Sequence, residues 1–175
     1  MAINIETVTE KYTVGKLSEE HLPAVLALYD GNPLYTFYCP PKPSLISLKQ
    51  DLVDLPPGKT IEDKYFLGYW QQEELVAIVD IISDYPEAGT AYIGLFMVDA
   101  AYQGRGLGSQ LVDDLLACLA KDFKAVRLGF IKGNPQAQHF WLKNGFQVVK
   151  EVEEPDRTVV VAERHLKSYL HLEGG

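Results

Sequence analysis

The amino-acid sequence predicts an α/β (α+β) fold, in which runs of strands alternate with helices. Three observations predict it. Three apolar runs between residues 64 and 98 have the length and the β-branched and aromatic content of strands. An apolar stripe with helical spacing follows Gly106, and a strand, a capped helix and a hairpin complete the chain. Because this alternation packs helices onto the faces of a sheet, we expect a single domain over residues 1–175.

The N-terminal part of the chain contains the least regular predicted elements. The segment "NIETVTEKYTVGKL" (4–17) predicts a first strand region. A helix then begins after Ser18, whose hydroxyl suits an N-cap, and it ends at Gly31. The aromatic and proline-rich segment "NPLYTFYCPPKP" (32–43) predicts a loop, and "SLISLKQDLVDL" (44–55) predicts a short helix.

The middle of the chain is predicted as three strands, a helix and a further strand. The strands are "KYFLGYWQ" (64–71), "LVAIVDIIS" (75–83) and "TAYIGLFMV" (90–98), joined by the turns "QEE" and "DYPEAG". Leucines and valines at helical spacing predict a helix over 106–121. The run "AVRLGFIK" (125–132) predicts the next strand.

The C-terminal part is predicted as one helix followed by a strand hairpin. The helix covers 134–144, with Asn134 as its N-cap, Pro135 at its first helical position and Gly145 just beyond its end. The runs "FQVVKEVEE" and "RTVVVAERHL" flank the turn "PDR", which is the pattern of a hairpin.

Composition and charge exclude several classes of function. The 175 residues carry a formal net charge of −8, which argues against a nucleic-acid partner. The N-terminus lacks the pattern of a signal peptide, and no apolar run is long enough to span a membrane. Cys39 and Cys118 lie far apart and match no metal-ligand spacing. We therefore expect a cytoplasmic protein with neither a metal nor a membrane partner.

The charge is distributed unevenly along the chain. Residues 1–100 contain fifteen acidic and six basic side chains, whereas residues 101–175 contain nine and ten. The acidic part can attract a cation, while the nearly neutral part tolerates an anion. Solubilising surface charge explains the same asymmetry, so the charge distribution leaves both interpretations open.

The segment "QGRGLGS" stands between a predicted strand and a predicted helix. Gly104, Gly106 and Gly108 have no Cβ, so a large anion can approach the unpaired N–H groups at the start of the helix. A diphosphate is the natural ligand, with the Ser109 hydroxyl and the Arg105 charge beside it. A tight turn that is merely glycine-rich is the alternative.

Two common phosphate-binding motifs do not fit this segment. The P-loop ends in Gly-Lys-Ser/Thr, and the dinucleotide fingerprint needs a third glycine where Ser109 stands. The pattern from Gln103 to Gly108 fits Q/R-x-x-G-x-G/A, and in this the chain resembles the GNAT superfamily of acyl-CoA-dependent N-acetyltransferases. The segment "GNPQAQHFWLKNGF" (133–146) resembles the second acyl-CoA element of that family.

The resemblance implies a fold and a cosubstrate. The fold is a central mixed twisted sheet of about six or seven strands, flanked by about four helices, in which two strands splay into a V-shaped slot for acetyl-CoA. Strand backbone would pair with the pantetheine arm, the loop amides would hold the pyrophosphate, and the second element would pack along the cofactor. The implied cofactor-binding residues are Met97, Val98, Gln103, Gly104, Arg105, Gly106, Leu107, Gly108, Ser109, Asn134 and Trp141.

The resemblance also implies a catalytic arrangement, with one departure. A backbone N–H near Val98 would polarise the thioester carbonyl and stabilise the oxyanion. Many relatives have a tyrosine where Trp141 stands, and that tyrosine protonates the leaving thiolate. Because tryptophan has no comparably acidic group, either another side chain is the acid or the thiolate leaves without one.

An amine substrate must lose a proton before it attacks, so a general base is useful. Asp80 interrupts an apolar strand, where an unpaired carboxylate is costly, and it is a candidate base or an anchor for the amine. An outward-facing strand residue or a structural ion pair explains Asp80 equally. Asp84 is a second candidate base and Glu87 a candidate substrate ligand, with solvated turn residues as the alternative.

The amine acceptor would enter beside residues 30–43, which correspond to the variable substrate side of the family. Tyr35, Phe37 and Tyr38 could enclose a small amine there, in part by cation–π contact, or they could close the edge of the core.

The sequence therefore predicts an enzyme that moves acetyl from acetyl-CoA directly to a primary amine of a small, cationic molecule. A non-catalytic acyl-CoA-binding or sensing domain, and an acetyltransferase of peptide N-termini or lysines, remain alternatives. No metal is expected, and pairing of C-terminal strands could form a homodimer.

Overall fold

The computed structural model describes residues 2–166, which form a mixed seven-stranded sheet with five α-helices. The strands are β1 (Thr13–Lys16), β2 (Lys64–Gln71), β3 (Glu74–Ile82), β4 (Thr90–Val98), β5 (Ala125–Ile131), β6 (Gln147–Glu153) and β7 (Thr158–His165). The helices are α1 (Leu22–Asp30), α2 (Pro33–Tyr38), α3 (Leu45–Asp51), α4 (Leu107–Leu119) and α5 (Pro135–Lys143). The predicted mixed α/β sheet is confirmed, with one helix more than expected. The predicted domain over residues 1–175 includes Met1 and residues 167–175, which lie outside the described residues.

The sheet has the strand order β1-β2-β3-β4-β5-β7-β6, and β4 and β5 are its parallel neighbours. Their pairing joins Thr90–Ile93 to Ala125–Leu128 and stops there. Residues 94–98 of β4 and 129–131 of β5 are therefore not paired with each other. This gap is the V-shaped splay that the resemblance implies.

A β-bulge lies beside the point where the two strands separate. The antiparallel register of β3 and β4 shifts between Asp80 and Ile81, so that Asp80 faces Leu95 and Ile81 faces Ile93. Gly94 is left without a direct partner on β3. A bulge bends the strand and increases its twist, which suits a strand that must leave its neighbour β5 at this point.

Two apolar clusters cover the two faces of the sheet. The larger contains the buried leucines of α4 and, from α5 and the residues after it, Trp141 and Phe146. The smaller contains Leu22, Val25 and Leu28 of α1 with Leu48 of α3. The side chains of β4 alternate between them, because successive residues of a strand point to opposite faces.

The N-terminal part differs most from the prediction. Residues 32–43 were expected to form a loop, but Pro33–Tyr38 is a helix, which proline at its first turn favours because the proline φ angle is already helical. Ser18 precedes a 3₁₀ turn over Glu19–His21, and α1 begins only after it. Of the strand region predicted over residues 4–17, only β1 is a strand.

The C-terminal elements follow the prediction. The Asn134 side chain accepts a hydrogen bond from the Ala137 amide and caps α5, whose first turn contains a proline. Gly145 follows the helix with φ +87°. Strand β6 is at the edge of the sheet with all seven residues exposed, and pairing of two copies there stays a prediction. Among the described residues, none of the helices has the length and apolar character that a bilayer crossing requires.

Candidate active site

The glycine segment presents a row of free backbone donors at the start of α4. Within the part of the chain that the structure describes, the six amides of residues 104–109 donate no hydrogen bond to protein. Gly104 and Gly106 have φ angles of +82° and +75°, and a Cβ at either position would meet no atom within 4 Å. Open space therefore lies in front of these donors, where the helix dipole also favours an anion.

Gly108 differs from Gly104 and Gly106 in what surrounds it, while its predicted contact with the cofactor stays a prediction. A Cβ there would lie 3.1 Å from Cε1 of Phe140 and 3.8 Å from Cγ2 of Val98. The missing side chain thus lets α4 approach α5 and β4 closely, whereas Gly104 and Gly106 leave their space to solvent. A separation of 3.1 Å is tighter than ordinary van der Waals contact.

Gln103 is tied into the protein. Its side-chain Nε2 donates to Oδ1 of Asn32 at 2.7 Å and to the Val98 carbonyl at 2.8 Å, and its amide donates to the Ala100 carbonyl. The expected row of amides from 103 to 109 therefore begins at 104. The neighbouring Arg105 is exposed, in keeping with a charge at the rim.

Strand β4 offers donors to the gap at alternate residues. The Asp99 amide donates to the Val76 carbonyl at 2.8 Å, one residue beyond the register pair Ala77 and Val98, so the Asp99 N–H points toward β3. Because bonded and non-bonded pairs alternate, the N–H groups of Val98 and Phe96 point away from β3, toward the gap.

The backbone of Met97 faces the opposite way. Its register partner is Ile78, in a mutually bonded position, and its side chain is buried in the cluster of α1 and α3. The N–H groups of Val98 and Phe96 thus face the gap and that of Met97 does not, and the cofactor roles predicted for Val98 and Met97 stay predictions.

The second motif places its aromatic side chains mainly in the core. Trp141 is 8% exposed and lies 6.0 Å from the Phe96 ring and 5.2 Å from the Phe146 ring, measured between centroids. Little of the indole is left to contact a cofactor directly. Asn134 is buried as well, and its Oδ1 is used by the Ala137 amide. Ser109 Oγ accepts a hydrogen bond from the Asn144 side chain at 3.3 Å. The direct roles predicted for Trp141, Asn134 and Ser109 stay predictions.

An open cavity of about 420 Å³ lies at the bulge, on the face of the sheet that carries α1 and α3. It reaches Gly94 and Leu95, where β4 leaves β5. Its remaining lining comes from α1, α2, α3 and the residues after it, β2, β3, the β3–β4 turn and β4, namely Tyr29, Tyr35, Asp51, Asp54, Leu55, Pro56, Lys64, Phe66, Asp80, Ile82, Tyr85 and Tyr92. A small molecule in this cavity can thus reach the apex of the gap.

Asp80 lies at the inner wall of the cavity in an ion pair with Lys64. The Lys64 Nζ is 2.9 Å from Oδ2 of Asp80. Burial raises the pKa of the Asp80 carboxyl above its ordinary value, although the hydrogen bond and the charge of Lys64 lower it. The structural ion pair considered for Asp80 is therefore present, and both of its members line the cavity.

Two further carboxylates give the cavity an acidic character. Asp51 and Asp54 lie on one side of it, and burial, followed by the charge of Asp54, raises the pKa of Asp51. With Asp80 neutralised by Lys64, these two carry the remaining formal charge of the lining. Neither of them, nor Lys64, was predicted as a site residue, although the two aspartates of "DLVD" at a helix end were a usable signal.

Asp84 and Glu87 occupy the β3–β4 turn and do not line this cavity. Asp84 Oδ1 accepts a hydrogen bond from the Gly89 amide at 2.8 Å, and the Lys59 ammonium donates to the Asp84 carbonyl at 3.1 Å. Glu87 is exposed. The structure therefore brings Asp80, but neither turn carboxylate, to the cavity; their roles stay predictions.

The aromatic residues of α2 separate into two groups. Tyr35 lines the cavity and packs edge-on against Tyr29 at 5.6 Å between ring centroids. Phe37 is 74% exposed and packs against Tyr38 at the surface. Three tyrosines that were not predicted as site residues join Tyr35 around the cavity, namely Tyr29, Tyr85 and Tyr92.

Comparisons with known proteins agree with this architecture. The sequence model of the acetyltransferase (GNAT) family matches residues 22–146. The spermine/spermidine N(1)-acetyltransferase of Bacillus subtilis (strain 168) is 29% identical over 104 residues, which are 55% of this chain and 68% of that protein.

Two solved structures share the fold. An acetyltransferase from Thermus thermophilus has a TM-score of 0.71 at 22% identity, over 88% of this chain and 96% of that chain. The PaiA N-acetyltransferase from Thermoplasma acidophilum, solved in complex with coenzyme A, has a TM-score of 0.64 at 18% identity, over 89% and 99%.

Proposed function

Because the chain belongs to the acetyltransferase (GNAT) family, we propose that it acetylates a primary amine of a small cationic molecule of the polyamine class. It is an acetyl-CoA-dependent N-acetyltransferase, as its family and its acetyltransferase relatives indicate. The choice of acceptor is the finer part of the proposal. The observation that carries it is a cavity at the apex of the strand gap, lined by four tyrosines and by Asp51 and Asp54, two carboxylates that form no ion pair among residues 2–166.

The residues of the glycine segment fit a coenzyme diphosphate. The six free amides of 104–109 and the open space in front of Gly104 and Gly106 suit two phosphate groups. We assign Arg105 to the rim of this site and the amide of Leu107 to its centre. The amides of Phe96 and Val98 would receive the pantetheine arm in the gap.

The reaction then takes place where gap and cavity meet. The amine nitrogen attacks the thioester carbonyl carbon, the C–N bond forms, and the C–S bond breaks with release of coenzyme A. We assign to the Val98 N–H the stabilisation of the negative charge that develops on the carbonyl oxygen. Asp80 accepts a proton from the attacking amine, directly or through a water molecule.

The acceptor is held by charge and by aromatic rings. The carboxylates of Asp51 and Asp54 attract ammonium groups, and the tyrosine rings pack against the methylene chain or the cationic ends. The acidic first part of the chain and the resemblance to a spermine/spermidine acetyltransferase support a polycationic acceptor. The Trp141 ring packs against Phe96 and so supports strand β4 beside the gap. Because an indole is not an acid, the thiolate leaves without receiving a proton from residue 141.

The experiment that tests this function measures thiol release from acetyl-CoA with a panel of amines. Spermidine, spermine and putrescine represent the proposed class, and an aminoglycoside, free lysine and a peptide with a free N-terminus represent the alternatives. We expect kcat/KM for the polyamines to exceed that of the other amines by at least about tenfold, since a second ammonium adds a favourable contact.

Two outcomes would contradict the proposal. Preference for the peptide would assign the enzyme to protein acetylation. Binding of acetyl-CoA without thiol release across the panel would favour the alternative of a sensing domain. Mass spectrometry of the product, which must be heavier by one acetyl group, checks that the released thiol comes from transfer and not from hydrolysis.

A further inference from the structure

We infer that Lys64 is a positioning residue for the reaction: it holds Asp80 ionised, with its Oδ2 oxygen turned toward the acceptor cavity. The inference rests on the proposed function, because it concerns how Asp80 is prepared as a base. Lys64 itself is not expected to touch the substrate nitrogen. Its effect is exerted through the carboxylate with which it pairs.

The pairing geometry follows from the register of β2 and β3. Asp80 lies directly opposite Phe66, and Lys64 is two residues away from Phe66 on the same strand. Lys64 and Asp80 are therefore diagonal neighbours on one face of the sheet, within reach of a long side chain. The ammonium is 2.9 Å from Oδ2, and the lysine side chain is only 4% exposed. A lysine this deeply buried is rarely found without a charged partner.

The two oxygens of Asp80 have different surroundings. Oδ1 is fully buried and has no hydrogen-bond partner within residues 2–166. The side chain as a whole is 19% exposed, so its accessible part excludes Oδ1. We therefore assign Oδ2 as the oxygen that meets an amine in the cavity; it lies 3.9 Å from the position of a Cβ on Gly94 at the bulge.

Lys64 is for this reason the main support of the negative charge on Asp80. A carboxylate normally depends on several donors to remain ionised when buried. Here Oδ1 receives none from the described residues, and the Lys64 ammonium donates to Oδ2. Ion pairing at one lone pair of Oδ2 leaves a second lone pair, which is available to the substrate.

The other charged and titratable groups around Asp80 oppose its ionisation or are neutral. They are Tyr29 from α1, Tyr35 from α2, Asp51 from α3, Asp54 after it, Tyr85 from the β3–β4 turn and Tyr92 from β4. Burial raises the pKa of Asp80, and Asp51 and Asp54 raise it further by like charge. Removal of Lys64 should thus raise the pKa of Asp80 still more, because the opposing positive charge is lost.

The experiment combines a direct titration with kinetics in the full-length protein. Asp80 is titrated by NMR of ¹³C-labelled aspartate in the unaltered protein and in Lys64→Met, with Asp80→Asn to assign its signal. The same proteins are assayed for kcat with saturating acetyl-CoA and spermidine across pH. We expect the Asp80 titration and the acidic limb of kcat to move upward together in Lys64→Met. Its KM for acetyl-CoA should stay within about twofold, because the cofactor contacts are elsewhere.

Two further variants separate positioning from structural support. Lys64→Arg keeps the charge and should restore the acidic limb to within about half a pH unit of the unaltered protein. Lys59→Met removes another largely buried lysine, 15% exposed, from its ion pair with Asp63, which does not line the cavity. We expect it to leave the acidic limb in place. If Lys64→Met does not fold, Lys64→Gln replaces it with a neutral residue of similar length.

An Asp80 titration that is unchanged without Lys64 overturns the inference and leaves the proposed acetylation intact. A shifted titration with an unmoved kinetic limb also overturns it, because Asp80 is then not the base. Absence of thiol release in the unaltered protein is a failure of the proposed function instead, and the amine panel detects it separately.

Discussion

The two halves of the proposed active site, a cofactor half and an acceptor half, are built in contrasting ways. The cofactor half consists of consecutive backbone amides, residues 104–109, and of the edge of one strand. The acceptor half consists of side chains from many separate elements, brought to one cavity at the bulge of β4. Backbone groups bind what every acyl-CoA has in common, whereas side chains can select among amines. The cofactor half should thus tolerate changes of side chain and fail when backbone conformation changes, and the acceptor half should behave in the opposite way.

The strongest test of this contrast is Gly106→Val. A β-branched residue is strained at φ +75° and would project into the space left for the diphosphate. We expect the affinity for acetyl-CoA, measured by calorimetry, to fall by at least about 100-fold. Gly58→Val is the matched control, because Gly58 has φ +84° and equally open space. An equal loss of affinity in the control would mean that strain alone, and not the position at α4, causes the effect.

Asp80→Asn tests the acceptor half by removing its proposed general base. We expect kcat for spermidine to fall by about 100-fold or more, since loss of a general base has this effect, with little change in acetyl-CoA affinity. Asp84→Asn is the informative comparison, because asparagine tolerates the positive φ of that turn position. Normal turnover of Asp80→Asn together with slow turnover of Asp84→Asn would transfer the role of base to the turn.

A smaller effect is expected from the outer carboxylates. The double variant Asp51→Asn with Asp54→Asn should raise KM for spermidine by about 5- to 20-fold, because each partly exposed charge contributes modestly to binding. The KM for a monoamine should change less, since it has no second ammonium to place. Steady-state kinetics at low and high salt check the result, and an equal change for both amines would speak against an ammonium contact.

The smallest effect concerns the cap of α5. Asn134→Ala removes the acceptor of the Ala137 amide and should lower stability by about 1 kcal/mol, or Tm by about 2–4 °C. Ser44→Ala removes a comparable cap from α3, away from the cofactor half, and should cost a similar amount. If Asn134 also reaches the pantetheine arm, its alanine variant alone should lose acetyl-CoA affinity. Thermal melts with and without acetyl-CoA distinguish the two contributions.

The cofactor half could be predicted from the sequence more fully than the acceptor half, for a physical reason. Strands β2 and β4 have the bounds that alternation and β-branched content predict, and α5 begins at the predicted cap. These features depend on residues close together in the chain. Helix α2 was missed because its aromatic and proline-rich composition is also that of a loop. Lys64 and Asp54 were missed because their relation to Asp80 exists only after β2, β3 and α3 have packed.

By itself, the sequence determined the strand, glycine segment and helix that form the cofactor half. Left-handed glycines and unpaired amides at a helix start are local properties of a short segment. Only the tertiary structure decided which carboxylate reaches the acceptor cavity, which strand residues face the gap, and that Gly108 packs against Phe140. Those outcomes depend on strand register and on a one-residue bulge, and a shift of one residue would turn each side chain to the other face of the sheet.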